Sequence, residues 1–130
     1  TGAQVKSALE DGVDSVMNGT GTGAYPYTGG LRFRVDMNQP KGNRVSSLEI
    51  RTSSGAWVAL DPAARYTLIT NNFTAEGGDK YDTFKTIPAA QREDTFLDYA
   101  DSFLHYVRSK GTLTKPAAAE RSTQGYIETP

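Results

Sequence analysis

A stretch just past the middle of the chain combines residue types that suit the binding of a nucleoside. Residues 70–81 read Thr-Asn-Asn-Phe-Thr-Ala-Glu-Gly-Gly-Asp-Lys-Tyr. Phe73 offers a flat apolar face for a base, and Asp79 offers a carboxylate that accepts hydrogen bonds from ribose hydroxyls. Gly77 and Gly78 permit a tight turn and a close approach of the backbone to a ligand. These residue types together predict a nucleoside-binding loop.

The same residues also fit an ordinary connection between a strand and a helix. In that interpretation Phe73 belongs to the core and Asp79 caps the following helix, because Asp is favoured at that position. The two glycines then supply backbone shape rather than contacts. Asn72 either fixes the loop or touches the ligand. The pattern alone leaves both interpretations open.

Four parts of the chain resemble the C-terminal domain of the 5′-nucleotidase family, in the family's order and at close to its spacing. They are similar to the family's TGxxLKxALE, GGLRxxxDxxxPxGxRV, LDPxxxYxV and NFLAxGGDGY/F motifs. The matching segments are TGAQVKSALE (1–10), GGLRFRVD with QPKGNRV (29–36 and 39–45), LDPAARY (60–66) and NFTAEGGDKY (72–81). The last segment departs from the family in two places: Glu76 adds a negative charge beside the glycine pair, and Lys80 stands where the family often has Gly.

The resemblance implies a role for each loop residue. In the family the Phe of this motif stacks on the base, and the Asp after the glycine pair binds the ribose hydroxyls. Phe73, Asp79, Asn72, Gly77 and Gly78 are therefore the expected substrate-binding residues. A second aromatic, which completes the base clamp, lies upstream of the family's TG helix and outside this chain. We expect no catalytic residue and no metal ligand here.

The resemblance further implies that catalysis takes place elsewhere in the parent protein. In the family, two divalent metals lie in an N-terminal calcineurin-like metallophosphoesterase domain, to which the C-terminal domain brings the nucleotide. We expect no cofactor in this chain, a nucleoside or nucleotide as ligand, and an inactive fragment. The expected parent is a periplasmic, secreted or cell-surface hydrolase of nucleotide catabolism. The alternatives are a non-catalytic surface binding or adhesion module that reuses the domain, and a domain whose site has decayed.

Composition gives no support to several other functions. Lys and Arg number 14 against 15 Asp and Glu, so there is no electrostatic case for nucleic acid. There is no Cys and one histidine, His105, which argues against a thiolate or histidine metal cluster. No apolar run approaches the roughly 18 residues of a membrane span, so we expect no membrane partner. The glycine-rich residues 19–23 lack the Gly-Lys-Ser/Thr ending of a phosphate loop.

Hydrophobic periodicity predicts an α+β fold, with helices packed on a mixed or antiparallel sheet. We expect helices at 3–17 and from near Asp94 to Gly111, with short helix and loop at 80–87. The expected strands are 31–36, a hairpin of 45–52 and 56–60, and a buried strand at 66–71. We expect a flexible loop at 18–24. Residues 1–113 are expected to form a domain whose upstream part is missing, and residues 114–130 an extended or flexible segment.

Overall fold

The computed structural model describes residues 1–19 and 21–128, and a four-stranded mixed sheet lies at its centre. The strands are β1 (Leu31–Asp36), β2 (Val45–Arg51), β3 (Trp57–Ala59) and β4 (Thr123–Ile127), in the order β3-β2-β1-β4. β2 is antiparallel to both β1 and β3, whereas β4 runs parallel to β1. This sheet and its helices confirm the predicted α+β class and the predicted hairpin.

Strand β1 lies inside the sheet, between β2 and β4, and its side chains alternate between the core and the other face. Leu31, Phe33 and Val35 are buried, and Phe33 is fully inaccessible. Leu31 pairs with Ile50 and Val35 with Val45 across the antiparallel ladder to β2. The alternation is the one that the sequence predicts, since successive residues of a strand point to opposite faces.

Helix α1 (Gly2–Asn18) covers the apolar face of the sheet and matches the helix predicted at 3–17. It begins with a capping box, in which the Thr1 hydroxyl accepts from the Gln4 amide and the Gln4 side chain accepts from the Thr1 backbone nitrogen. The helix and sheet share one core, which consists of Leu9, Val13, Leu31, Phe33, Val35, Met37 and Val45. The cap therefore fixes the start of a helix whose apolar side chains complete the core of the sheet.

Strand β4 lies in the segment that the sequence predicts to be extended or flexible. The Phe33 amide donates to the Ser122 carbonyl at 2.8 Å, and the Met37 amide donates to the Ile127 carbonyl at 2.9 Å. Tyr25 and Thr123 share a hydroxyl hydrogen bond of 2.8 Å at the start of the strand. The final residues of the predicted segment, 129–130, and residue 20 of the predicted loop at 18–24 lie outside the described residues. The boundary at residue 113 stays a prediction.

The buried strand predicted at 66–71 is wrong for this chain. Throughout residues 60–122, all of which the structure describes, no strand is assigned, and Leu68 and Ile69 are 44% and 87% exposed. A strand needs a neighbour that accepts and donates its backbone hydrogen bonds. Within the described residues no strand lies beside this segment, so its sequence preference for a strand is not realised.

Helix α4 (Tyr99–Lys110) matches the predicted second long helix, but it begins later than the prediction. The Asp98 carboxylate caps it by accepting from the Ala100 and Asp101 amides, and Gly111 ends it with a φ of 70°. No residue of α4 is buried. Among the described residues, no helix is long and apolar enough to cross a membrane.

Candidate functional site

The predicted binding loop forms three short turns of helix directly after residues 66–71, which form no strand. These are α2 (Asn72–Ala75), a 3₁₀ turn (Gly78–Lys80) and α3 (Asp82–Lys85). Asn71 is the N-cap of α2, and its side-chain oxygen accepts a hydrogen bond from the Thr74 amide at 2.7 Å. A polar residue that the sequence did not single out therefore fixes the entry to the loop. Short helix and loop at 80–87 agree with the prediction.

The glycine pair lets the loop fold tightly around two side chains. Gly77 has a φ of 86°, and a Cβ atom there would overlap the side chain of Lys85. A Cβ atom at Gly78 would overlap the ring of Phe73. Because neither Gly77 nor Gly78 has a Cβ atom, the Lys85 side chain and the Phe73 ring can pack directly against the backbone. The two glycines therefore shape the site.

Phe73 presents the rest of its ring to solvent. It is 57% exposed, which does not fit the alternative that it belongs to the core. Asn72, at the start of α2, is also exposed, and Asp79 lies in the 3₁₀ turn a few residues further on. All five predicted site residues thus lie in one loop, in which Asn72, Phe73 and Asp79 are exposed, Gly78 is half-buried and Gly77 is buried.

Asp79 does not cap a helix, as the alternative interpretation requires. The residue before α3 is Tyr81, which makes no side-chain cap hydrogen bond. Asp79 instead lies inside the 3₁₀ turn with a φ of 53°, and Lys80 follows with a φ of 64°. Left-handed backbone is unfavourable for residues with a Cβ atom. At Lys80 this explains the family's frequent Gly, because Gly adopts such angles without cost.

Tyr81 anchors the loop against Gly12 of α1 and to Ala24, which follows that helix. It is 8% exposed, and its hydroxyl donates to the Ala24 carbonyl at 2.8 Å. A Cβ atom at Gly12 would overlap this hydroxyl, so a glycine in the helix makes room for it. Burial, reinforced by the charges of Asp79 and Asp11, raises the pKa of Tyr81 to about 12. The phenol is therefore a neutral hydrogen-bond donor at any physiological pH.

Asp11 makes the second connection between α1 and the loop. Its carboxylate accepts from the Thr83 amide at 2.8 Å and from the Thr83 hydroxyl at 2.6 Å. Lys41 pairs with the same carboxylate at 2.8 Å. Burial raises the pKa of Asp11, but the hydrogen bonds from Lys41 and Thr83 outweigh it and lower the pKa below its ordinary value. Nothing in the local sequence marks Asp11 for this role, since Thr83 is 72 residues away.

Two arginines of the strand region are used in structural contacts. Arg44 is buried and pairs with Asp14 at 2.6 Å. Arg32 pairs with Glu49 at 2.7 Å and lies 4.5 Å from the centre of the Trp57 ring. Both guanidinium groups are therefore used in contacts within the domain.

Two shallow clefts on the surface are not lined by the predicted binding residues. Both border the first half of α1 near Lys6 and Gly42, and neither is lined by Phe73 or Asp79. Across the described residues, no group of three or more His, Cys, Asp and Glu side chains is placed to hold a metal ion. The predicted site is thus an open aromatic surface beside a carboxylate.

The family of the chain follows from its sequence and its fold together. The model of the 5′-nucleotidase C-terminal domain matches residues 1–86, which include α1, the sheet strands β1–β3 and the complete binding loop. The chain belongs to the 5′-nucleotidase C-terminal domain family. This confirms the family that the four motifs predict.

Two relatives of this 5′-nucleotidase C-terminal domain come from bacteria. A probable 5′-nucleotidase of Treponema pallidum is 35% identical over 84% of this chain and 19% of its own length. A trifunctional nucleotide phosphoesterase of Bacillus subtilis is 33% identical over 99% of this chain and 8% of its own length.

A solved structure shares the fold of the domain. The 5′-nucleotidase precursor of Thermus thermophilus superimposes with a TM-score of 0.84 at 31% identity, over 100% of this chain and 24% of that chain. The domain thus spans less than a quarter of the length of the relatives that it matches.

Proposed function

We propose that this domain binds the nucleoside part of a nucleotide on Phe73 and Asp79. The observation that carries the proposal is the Phe73 ring, which is 57% exposed yet held on one side by the backbone at Gly78. A fixed aromatic face with one open side suits stacking on a base, since every base has a flat face. Gly77 and Gly78 shape this platform, and Asn72 lies at its edge.

Asp79 supplies the second contact in the proposal. Its carboxylate is exposed in the same loop and accepts hydrogen bonds from the two ribose hydroxyls. Stacking on one aromatic contributes about 1–3 kcal/mol, and a hydrogen bond to a charged group about 1.5–3 kcal/mol. A sum of about 4 kcal/mol corresponds to a Kd of about 1 mM. We expect millimolar binding by this chain, which holds one half of the base clamp.

The parent protein, in this proposal, is a metal-dependent hydrolase of nucleotide phosphoesters. Its two divalent metals lie in an N-terminal calcineurin-like domain outside this chain, and domain closure brings the bound nucleotide to them. The names of the relatives support this class, because they describe 5′-nucleotidases and a nucleotide phosphoesterase. They do not favour the adhesion module. A periplasmic, secreted or cell-surface location completes the proposal.

An amide-shift titration of the chain with adenosine and AMP tests the binding proposal. We expect shifts at residues 72–81, and we expect Phe73→Ala to lose them while the spectrum stays that of a folded protein. Phe103→Ala is the matched control, because Phe103 is 61% exposed on α4, away from the loop. If Phe73→Ala keeps the shifts, the stacking role is wrong. If it unfolds the chain, Phe73 is a structural residue.

Hydrolysis assays test the proposed division between domains. We expect AMP hydrolysis by the full-length protein to stop when divalent metals are removed by chelation and to resume when they are added back. We expect no hydrolysis by residues 1–130 alone with any divalent metal. Metal-dependent turnover by this chain would show that it carries a catalytic site of its own.

A further inference from the structure

Two neighbouring carboxylates of α1, those of Glu10 and Asp11, are buried although neither belongs to the proposed ligand contacts. Glu10 is 2% exposed and Asp11 is 6% exposed. A buried carboxylate is costly unless hydrogen bonds or an opposite charge compensate it. The partners of these two side chains therefore show which parts of the fold the pair holds in place.

Glu10 holds the turn between β1 and β2. Its Oε2 atom accepts a hydrogen bond from the Gly42 amide at 2.9 Å, and its Oε1 atom accepts one from the Val45 amide at 2.7 Å. Because both donors are backbone groups, the turn cannot shift on the helix without breaking these bonds. Lys41 directly precedes Gly42, so Glu10 fixes the point from which the Lys41 side chain extends.

Lys41 reaches from this turn to the second buried carboxylate. Its Nζ atom lies 2.8 Å from Oδ1 of Asp11 and 3.7 Å from Oδ2 of Asp14. The other oxygen of Asp11 accepts from the amide and the hydroxyl of Thr83. Of the lysines and arginines that the structure describes, Lys41 alone forms an ion pair with Asp11. Lys41 therefore compensates the charge of the carboxylate that holds α3.

Helix α3 connects this ion pair with the aromatic platform. Thr83 and Lys85 both belong to α3. A Cβ atom at Gly77 would overlap the Lys85 side chain, so α3 packs directly on the glycine pair. The Phe73 ring packs on the neighbouring Gly78. A displacement of α3 would therefore move the backbone against which the Phe73 ring rests.

We propose that Lys41 is a positioning residue of the nucleoside-binding loop and acts through Asp11 and Thr83. The inference rests on the proposed function, because it gives Lys41 a part in nucleoside binding without contact with the ligand. Without the Lys41 ammonium, the buried carboxylate of Asp11 has no ion-pair partner, which favours its movement toward water and the release of Thr83. Lys41 occupies a position that the family motif PxGxRV leaves open, so this device is a property of the present chain.

Inhibition of AMP hydrolysis by adenosine, measured on the full-length protein, is the first test. Adenosine is neutral, so its inhibition constant does not report long-range attraction between Lys41 and a phosphate. We expect Lys41→Met to raise this constant about threefold to fivefold, as the loss of a partly exposed ion pair allows. Lys41→Arg, which keeps the charge, should restore the value of the unaltered protein. An unchanged constant for Lys41→Met would overturn the proposal.

Lys6→Met is the matched control for this experiment. Lys6 lines the same cleft as Lys41, but it makes no ion pair with any residue that the structure describes. The substitution therefore removes one positive charge from the same surface and leaves Asp11 paired. We expect the inhibition constant of adenosine to stay unchanged. An increase equal to that of Lys41→Met would show a general effect of charge and overturn the positioning role.

Hydrogen exchange followed by mass spectrometry tests the contacts without a ligand. The amides of residues 75–77 and 81 donate hydrogen bonds within the loop, so their exchange reports its order. We expect this exchange to be about threefold faster in Lys41→Met, as the loss of the ion pair implies, and unchanged in Lys41→Arg and Lys6→Met. The amides of β1 should keep their rates. Equal acceleration in β1 would indicate a general loss of stability and overturn the proposal, as would unchanged exchange in the loop.

The two measurements separate this inference from the proposed function. If adenosine does not bind the unaltered protein, the proposed function is wrong, and the exchange rates still decide whether Lys41 holds the loop. If Lys41→Met accelerates exchange in the loop but leaves the inhibition constant of adenosine unchanged, Lys41 orders the loop without positioning the nucleoside. That result would overturn the inference and leave the proposed function standing.

Discussion

The substitution Tyr81→Phe removes the hydrogen bond that joins the binding loop to Ala24, in the segment that follows α1. The Tyr81 hydroxyl donates to the Ala24 carbonyl at 2.8 Å, and both residues are buried. Phe fills nearly the same space but leaves this carbonyl without its donor. A buried hydrogen bond of this kind contributes about 1–2 kcal/mol. We expect Tyr81→Phe to lower the free energy of unfolding by that amount at pH 8 and to leave the fold intact.

The difference in unfolding free energy between the unaltered protein and Tyr81→Phe should decrease as the pH rises. Burial, with the charges of Asp79 and Asp11, raises the pKa of Tyr81 from 10.0 to about 12. The folded state therefore holds the phenolic proton more tightly, and the resulting stability is complete below pH 10 and lost as pH rises toward 12. One pKa unit corresponds to about 1.4 kcal/mol. By pH 11 the native protein should lose about that much stability, whereas Tyr81→Phe has no phenol at this position to ionise.

Urea unfolding at pH 8, 10 and 11 measures the effect, and the fluorescence of the single tryptophan, Trp57, reports it. We expect the difference between the two proteins to shrink by about 1.4 kcal/mol between pH 8 and pH 11. Tyr25, whose pKa burial also raises, is present in both proteins and cancels in the comparison. Tyr27→Phe is the control, because Tyr27 is 82% exposed. A difference that stays constant from pH 8 to pH 11 would refute the reasoning.

Three further substitutions probe the same loop. Asp11→Asn loses the ion pair with Lys41 and should lower the free energy of unfolding by about 1–3 kcal/mol at pH 7. Because folding lowers the pKa of Asp11, urea titrations should show this difference vanish as the pH falls below the pKa of the folded state. Gly78→Ala should displace the Phe73 ring, weakening AMP binding in an amide-shift titration by about 5- to 150-fold if stacking of 1–3 kcal/mol is lost; unchanged affinity would contradict the platform. Lys80→Gly should raise the unfolding free energy by about 0.5–1 kcal/mol, because it relieves a left-handed backbone; a loss of stability in thermal melts would contradict this.

The predictions about α1 and β1 succeeded because both elements have their partners within the chain. The apolar stripe of α1 and the alternating residues of β1 meet in one core, so local pattern and tertiary environment agree. The strand predicted at 66–71 failed for the opposite reason. Its residue types favour a strand, but pairing is a property of two segments and the described residues provide one.

The motif residues around the glycine pair were found from sequence, whereas their supports were not. Phe73 and Asp79 stand out because their types and spacing suit a nucleoside. Asp11 does not, since its partner Thr83 becomes apparent only when the loop lies on α1. Asn71 was not singled out either, although its partner, the Thr74 amide, is three residues away. The use of Asn72, Gly77, Gly78, Phe73 and Asp79 as binding residues stays a prediction until the titrations are made.

The sequence by itself determined the family, the α+β class and the loop that carries the expected ligand contacts. These depend on periodicity and on short motifs, which are local in the chain. Only the tertiary structure decided that Phe73 is exposed, that Asp79 is not a helix cap, and that Tyr81 anchors the loop. The anchoring of Tyr81 depends on a residue 57 positions away, which lies within hydrogen-bond distance. That proximity is set by packing of the helix on the sheet, and no local pattern encodes it.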